Sequence, residues 1–178
     1  MKKQLILTLV ASLFSLFALA QQRVIVDTDI DSDVDDAGTL AMLYALHKQH
    51  KIDLLGTVVT SDDPFAATCV SAFNRFYGMS RLPLGFLEGQ SSLTNHSRYT
   101  RQISEEFPHD LPSWKEAETA TRTYRKLLAQ SPDHSVIILT IGHLSSLQKL
   151  LQSSADQFSP LSGKQLVEAK VSKWYCMG

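Results

Sequence analysis

Val24-Ile25-Val26-Asp27-Thr28-Asp29-Ile30-Asp31-Ser32-Asp33-Val34-Asp35-Asp36-Ala37-Gly38-Thr39-Leu40-Ala41-Met42-Leu43 passes from a β-branched run, through six aspartates, into a helical pattern. Val24 to Val26 read as a buried parallel strand, and Ala37, Leu40, Ala41 and Tyr44 recur at helical spacing to give the next element an apolar face. The acidic loop is therefore expected at the carboxyl end of a strand, where open α/β sheets bind ligands. Carboxylates packed this closely repel one another unless positive charge shares the space, and oxygen-rich clusters suit hard cations such as Ca²⁺ or Mg²⁺. The competing reading is a solvated acidic turn in which Asp35 and Asp36 cap the helix and complement its dipole.

Outward from this loop, the first helix is expected over 35–49 and a second strand over 52–60, a βαβ unit that implies a parallel pair with a right-handed crossover. Thr60-Ser61-Asp62-Asp63-Pro64 then lies at the carboxyl end of the second strand and faces the same crevice. A second helix follows Pro64, with Ala66, Val70, Phe73 and Tyr77 at three- and four-residue spacing, and Arg81 to Phe86 read as a short third strand. The polar stretch from Glu88 to Trp114, which holds Asn95, His96, Arg98, Tyr99 and His109, reads as a long loop. Loops of that length are uncommon unless functional or mobile. Ala117 to Gln130 are expected to be helical, with Arg122, Arg125 and Lys126 on a solvated face. Ser135 to Thr140 read as a central strand, Ser145 to Leu151 as a helix, and Val167 to Cys176 as a last strand. The fold class expected is α/β, an open and mostly parallel sheet with helices on both faces, in one Rossmann-like domain over 21–178.

Met1 to Ala20 have the form of a secretory signal peptide: Lys2 and Lys3, an apolar run from Leu5 to Ala18, and an A-x-A cleavage site at Ala18-Leu19-Ala20. The chain is accordingly expected to be exported, to the periplasm or beyond. With 17 basic and 18 acidic side chains, the composition gives no reason to expect nucleic acid or an anionic membrane surface as a partner. Self-association into a homo-oligomer stays open. Cys69 and Cys176 are too few and too far apart for a disulfide framework and are expected to be buried free thiols.

Three metal-loop patterns can be tested on the acidic loop. An EF-hand needs Gly at the sixth loop position and Glu at the twelfth; from Asp27 these are Ser32 and Gly38, and from Asp31 they are Asp36 and Met42, so neither frame fits. A haloacid-dehalogenase-type phosphatase also starts with Asp-x-Asp after a strand, but this chain continues with Ile30-Asp31 where that family has x-Thr or x-Val. The third pattern fits: Asp27-Thr28-Asp29, a short loop and Asp35-Asp36-Ala37 at a helix start resemble the signature of the inosine/uridine-preferring nucleoside hydrolases. Three later stretches are similar to that family in the same order. Asp53 to Val59 resemble its second strand, Ser135 to Leu147 resemble its strand and Gly-Pro-Leu-Thr-Asn-Leu turn, and Trp174 to Gly178 resemble its strand ending in Met-Gly-Gly.

The resemblance implies a Ca²⁺ ion held by Asp29, Asp36 and the backbone carbonyl of Ile141, with Asp35 as the general base that takes a proton from water on the metal. That water would attack C1′ of a ribosyl group through an oxocarbenium-like transition state. Asp27 would orient its neighbours by hydrogen bonding. Asp63, or Asp62 beside it, stands where the family has an Asn that contacts the ribose, and Asp63 is the substrate-binding candidate. The family's Pro-Gly after Asp-x-Asp is Ile30-Asp31 here, so Asp31 and Asp33 are further candidates for ligand duty. The family's fourth ligand, a later Asp, has no counterpart, and the chain is expected to be an N-terminal portion truncated at the Met-Gly-Gly strand. The expected substrate is a nucleoside or related small ribosyl compound. The alternatives are a non-catalytic ribosyl- or sugar-binding module on the same fold, and a phosphatase with Asp27 as nucleophile.

Overall fold

A computed structural model describes residues 21–31, 33–89 and 99–177; the signal-peptide assignment to residues 1–20, and Asn95, His96 and Arg98, lie outside them. Six strands form one parallel sheet: β1 (Gln22–Thr28), β2 (Ile52–Val59), β3 (Leu84–Phe86), β4 (Glu118–Thr119), β5 (Val136–Thr140) and β6 (Val171–Cys176), in the spatial order β4-β3-β2-β1-β5-β6. Six α-helices accompany them among the described residues: α1 (Asp35–Lys48), α2 (Ala66–Phe76), α3 (Tyr99–Glu106), α4 (Ala120–Ala129), α5 (Ser145–Gln152) and α6 (Gly163–Lys170). A parallel pair cannot be closed by a hairpin, so α1 carries the chain from β1 back to the start of β2.

Alternation along the strands builds a core on each face of the sheet. Val24 and Val26 of β1 pack with Leu40, Leu43 and Tyr44 of α1 and with Ala66, Cys69 and Val70 of α2. Ile25 faces the other way, with Tyr124, Leu127 and Leu128 of α4, Leu147 and Leu150 of α5 and Leu166 of α6. The chain thus winds outward from β1 to β4 over one face, then crosses back beneath the sheet through α4 to β5. The winding reverses between β1 and β5, which leaves a crevice at their carboxyl ends.

Five local readings are corrected. The helix read over 117–130 begins only at Ala120, because Glu118 and Thr119 pair with Gly85 and Phe86 as β4. The stretch from Glu88 to Trp114 is not all loop, because α3 lies within it; Tyr99 and Ile103 pack on the first core, while Thr100 and Ser104 are buried as well. Ser104 Oγ donates to Thr68 Oγ1 at 2.7 Å, so hydroxyl pairing lets polar residues fill a helix face that an apolar count misses. Residues 167–170 belong to α6, whose start is fixed by a capping box between Ser162 and Gln165; β6 begins only at Val171. Both thiols are free, but Cys176 is exposed on the edge strand β6, and only Cys69 is buried. Arg125 is not on a solvated face. It is 1% exposed, with Nη2 donating to Asp156 Oδ1 at 2.9 Å, to Ser159 O and to Leu161 O, and Nη1 donating to Ser153 Oγ.

Candidate functional site

The crevice floor is the last turn of β1. Asp27 is the final inward-facing side chain of that strand and is buried, with Oδ1 accepting from the Thr60 hydroxyl and Oδ2 from Tyr124 Oη at 2.7 Å. Thr60 Oγ1 also lies 2.6 Å from Ser146 Oγ. One carboxylate therefore joins β1, the loop after β2 and α4 beneath the crevice, and Thr60 extends the link to α5. Burial pushes Asp27 up to about 7, with a further push from Asp29 and a partial offset from its two hydroxyl donors.

Above it, Asp29 and Asp31 leave the sheet and are buried, Asp36 is buried at the start of α1, and Asp33 and Asp35 are exposed. Oxygen atoms of Asp33, Asp35 and Asp36 lie within 4.8 Å of one another. Thr28, the residue between the first two aspartates, turns its hydroxyl back to donate to Asp36 Oδ1 and accepts from the Ile30 amide at 3.2 Å. Burial raises Asp36 to about 7, and the Asp29 and Asp35 carboxylates add to the rise against the Thr28 hydrogen bond. Asp33 is raised chiefly by sharing a hydrogen bond with Asp35.

The second wall is the turn after β5. Ile141 is buried and its amide donates to Asp27 O at 2.9 Å, which holds this turn against the end of β1. A Cβ on Gly142 would fall 2.2 Å from Asp29 Cγ, so only glycine lets the turn close over that carboxylate. His143 Nε2 sits 3.6 Å from Asp29 Oδ2. The third wall is the loop after β2, tied down from α3: Thr100 Oγ1 lies 2.8 Å from Asp63 Oδ2 and 3.3 Å from Asp31 Oδ1. Asp63 Oδ2 also accepts from the Phe65 amide at 3.1 Å, the geometry of a turn that opens a helix.

The structure thus brings together Asp27, Asp29, Asp35, Asp36 and Ile141 at one crevice, with Asp63 on its rim. Asp33 and Asp31 join them. Thr28, Thr60, Tyr124, Ser146, Thr100 and His143 are the partners that sequence reasoning missed. Hydroxyl residues carry no spacing signal, although the position of Thr60 at the carboxyl end of a strand marks it in hindsight.

The comparisons agree with this architecture. No family model matches the chain, and no curated protein matches it in sequence. Solved structures do. The type III effector protein XopQ complexed with adenosine diphosphate ribose superposes with a TM-score of 0.64 at 20% identity, covering 96% of this chain and 47% of that one. The effector protein XOO4466 does so with a TM-score of 0.64 at 21% identity, covering 96% and 47%. The plant nucleoside hydrolase PpNRh1 gives 0.58 at 17% identity, covering 86% and 46%. The chain therefore spans about half the length of the solved proteins it matches, and it shares with them a nucleoside-hydrolase-like fold.

Proposed function

We propose that this chain carries the metal half of a ribosyl hydrolase site, which cleaves the N-glycosidic bond of a ribonucleoside or related ribosyl compound. The observation that carries the reading is the convergence of the Asp33, Asp35 and Asp36 carboxylates within 4.8 Å, with Asp29 sharing a hydrogen bond with Asp36, beside the point where the sheet reverses its winding. An all-oxygen donor set suits a hard cation. The donor set fits Ca²⁺, with Asp29, Asp36 and the carbonyl of Ile141 as the ligands and Asp33 within reach. When bound, the ion supplies the charge that lowers the pKa of a coordinated water.

The chain's own residues divide the remaining work. Asp35 is the exposed member of the Asp35-Asp36 pair, so its carboxylate is open to solvent and takes the proton of the attacking water. The water oxygen bonds to C1′ as the bond from C1′ to the base nitrogen breaks. Asp27, fixed by Thr60 and Tyr124, holds the end of β1 in place so that Asp29 projects into the crevice. Asp63 lies on the rim on the substrate side. Export through the leader at residues 1–20 is part of the same proposal and rests on the sequence.

A binding role without turnover is the second reading, and the XopQ complex with adenosine diphosphate ribose favours weighing it. The phosphatase alternative has less support, because Asp27 is 1% exposed and both its oxygens accept hydrogen bonds. The test is calcium titration by calorimetry on the chain beside Asp29→Ala and Asp36→Ala, followed by nucleoside cleavage with Asp35→Asn. Binding weakened at least tenfold by both alanine variants, with turnover lost in Asp35→Asn, supports the hydrolase. Binding of calcium and ribosyl ligand without turnover selects the binding module, and a folded protein that binds neither rejects both.

A further inference from the structure

The ligand set proposed above counts oxygen atoms only, and it leaves out an imidazole at the same crevice. His143 Nε2 lies 3.6 Å from Asp29 Oδ2, and the two side chains are 35% and 12% exposed, so both are open to solvent. That separation is too long for a hydrogen bond. It is close to the spacing of two ligand atoms on one small cation, since atoms about 2.1 Å from a tetrahedral Zn²⁺ stand about 3.4 Å apart. Asp29 in turn shares a hydrogen bond with Asp36, and so connects the imidazole to the group formed by Asp33, Asp35 and Asp36.

The turn that carries His143 is fixed on both sides. The Ile141 amide donates to Asp27 O at 2.9 Å, and Gly142 closes against Asp29 where any Cβ would collide. Beyond His143, Ser146 Oγ lies 2.6 Å from Thr60 Oγ1. A ligand on a turn held in this way needs little ordering when an ion arrives. His143 also stands where the Gly-Pro-Leu turn of the resembling family has a proline, which offers no side-chain donor atom.

We infer that His143 is a metal ligand, and that with Asp29 and Asp36 it makes a mixed nitrogen and oxygen site that takes a borderline divalent cation, Zn²⁺, in preference to Ca²⁺. The inference rests on the reading of the crevice as a metal site and deepens it by naming the class of cation. Imidazole nitrogen suits Zn²⁺ and its neighbours in the first transition row, whereas Ca²⁺ takes about six to eight oxygens. Two carboxylates and one imidazole are three protein ligands, which leaves zinc one position for water.

The test is calorimetric titration of the full chain with Zn²⁺ and with Ca²⁺, beside His143→Ala, His143→Gln, Asp29→Ala and the double variant Asp29→Ala with His143→Ala. Because His143 is partly exposed, its substitution should move the melting temperature by no more than about 2 °C. His143→Ala should lower the ratio of zinc to calcium affinity at least about tenfold. His143→Gln replaces the nitrogen donor with an oxygen, so it should keep calcium and lose the zinc preference. In the Asp29→Ala background the loss from His143→Ala should vanish, because the two groups hold one ion. A ratio unchanged in His143→Ala would mean that the imidazole is only an ion-pair partner of Asp29, and overturns the inference. A zinc loss that persists in the double variant places the ion away from Asp29 and overturns it too. Calcium bound by wild type with no preference for zinc overturns the inference and leaves the hydrolase reading standing. A folded wild-type chain that binds neither cation overturns both.

Discussion

Two charge systems are built around buried groups of this fold, and they rest on opposite principles. Arg125 in α4 is surrounded by Asp156, Ser153 and two carbonyls from the segment between α5 and α6, and its guanidinium holds Asp156 below the usual carboxylate range. Opposite charge meets opposite charge there, and the result is a clasp that ties α4 to that segment. In the crevice, Asp27 and Asp36 are held by hydroxyls, stand beside other carboxylates, and are raised to about 7. A buried charge met by an opposite charge at the surface serves the fold; carboxylates buried beside one another leave room for a ligand to complete them.

Removing a charge should therefore have opposite signs in the two places. Arg125→Met is expected to cost about 1–3 kcal/mol in urea unfolding, because the buried Ser159 carbonyl loses the donor it was folded around. A loss under about 1 kcal/mol would mean that the clasp is incidental. Asp36→Asn, by contrast, is expected to raise the stability of chelator-treated protein by about 0.5–2 kcal/mol while weakening calcium at least tenfold, the exchange typical of functional sites. If it destabilises the metal-free protein, the crevice is as self-sufficient as the clasp, and the comparison fails.

The pH dependence sharpens the same contrast. Asp27 and Asp36 titrate near 7 in the folded chain and near 4 when unfolded, so between those values the folded state holds more protons and stability falls as pH rises. Their contribution is complete below about pH 4 and lost above about pH 7. Chelator-treated protein should melt at a higher temperature at pH 5 than at pH 8, and Asp27→Asn should flatten that slope. The pair in the clasp runs the other way, since Asp156 is lowered and contributes only while ionised.

The smallest effect is expected at Asp31, which has φ 151°, a conformation that glycine adopts far more readily. This is the position where the resembling family has Gly. Asp31→Gly should change unfolding free energy by no more than about 1 kcal/mol, as relief of the backbone offsets the lost contact to Thr100. A loss of several kcal/mol would show that the Asp31 carboxylate belongs to the fold rather than to the crevice.

Legibility followed the physics of each segment. Val24 to Val26 and Val136 to Thr140 were readable as buried strands because continuous β-branched runs have few other places to go. The 3.6-residue spacing of Leu40 and Tyr44 gave α1. Helix α3 was hidden because Thr100 and Ser104 are buried through hydroxyl contacts to Asp63 and Thr68, and no hydropathy pattern records a pairing across more than thirty residues. Arg125 was misread for the same reason: its counterion lies thirty-one residues away, on a segment with no periodicity of its own.

By itself, the sequence determined the first βαβ unit, the central strand β5 and the placing of six aspartates from the end of the first strand to the start of α1, and hence a carboxylate-rich crevice in a parallel α/β sheet. These follow from local chemistry: side-chain period, branching at Cβ, and the density of like charge in a short loop. Only the tertiary structure decided which aspartates are buried and which face solvent, that Asp27 is a strut between Thr60 and Tyr124, and that Thr100 ties α3 to Asp63 and Asp31. Those outcomes depend on which distant groups the sheet brings within hydrogen-bond reach, because burial and partner together set the charge of a carboxyl, and neither is a property of its neighbours in the chain.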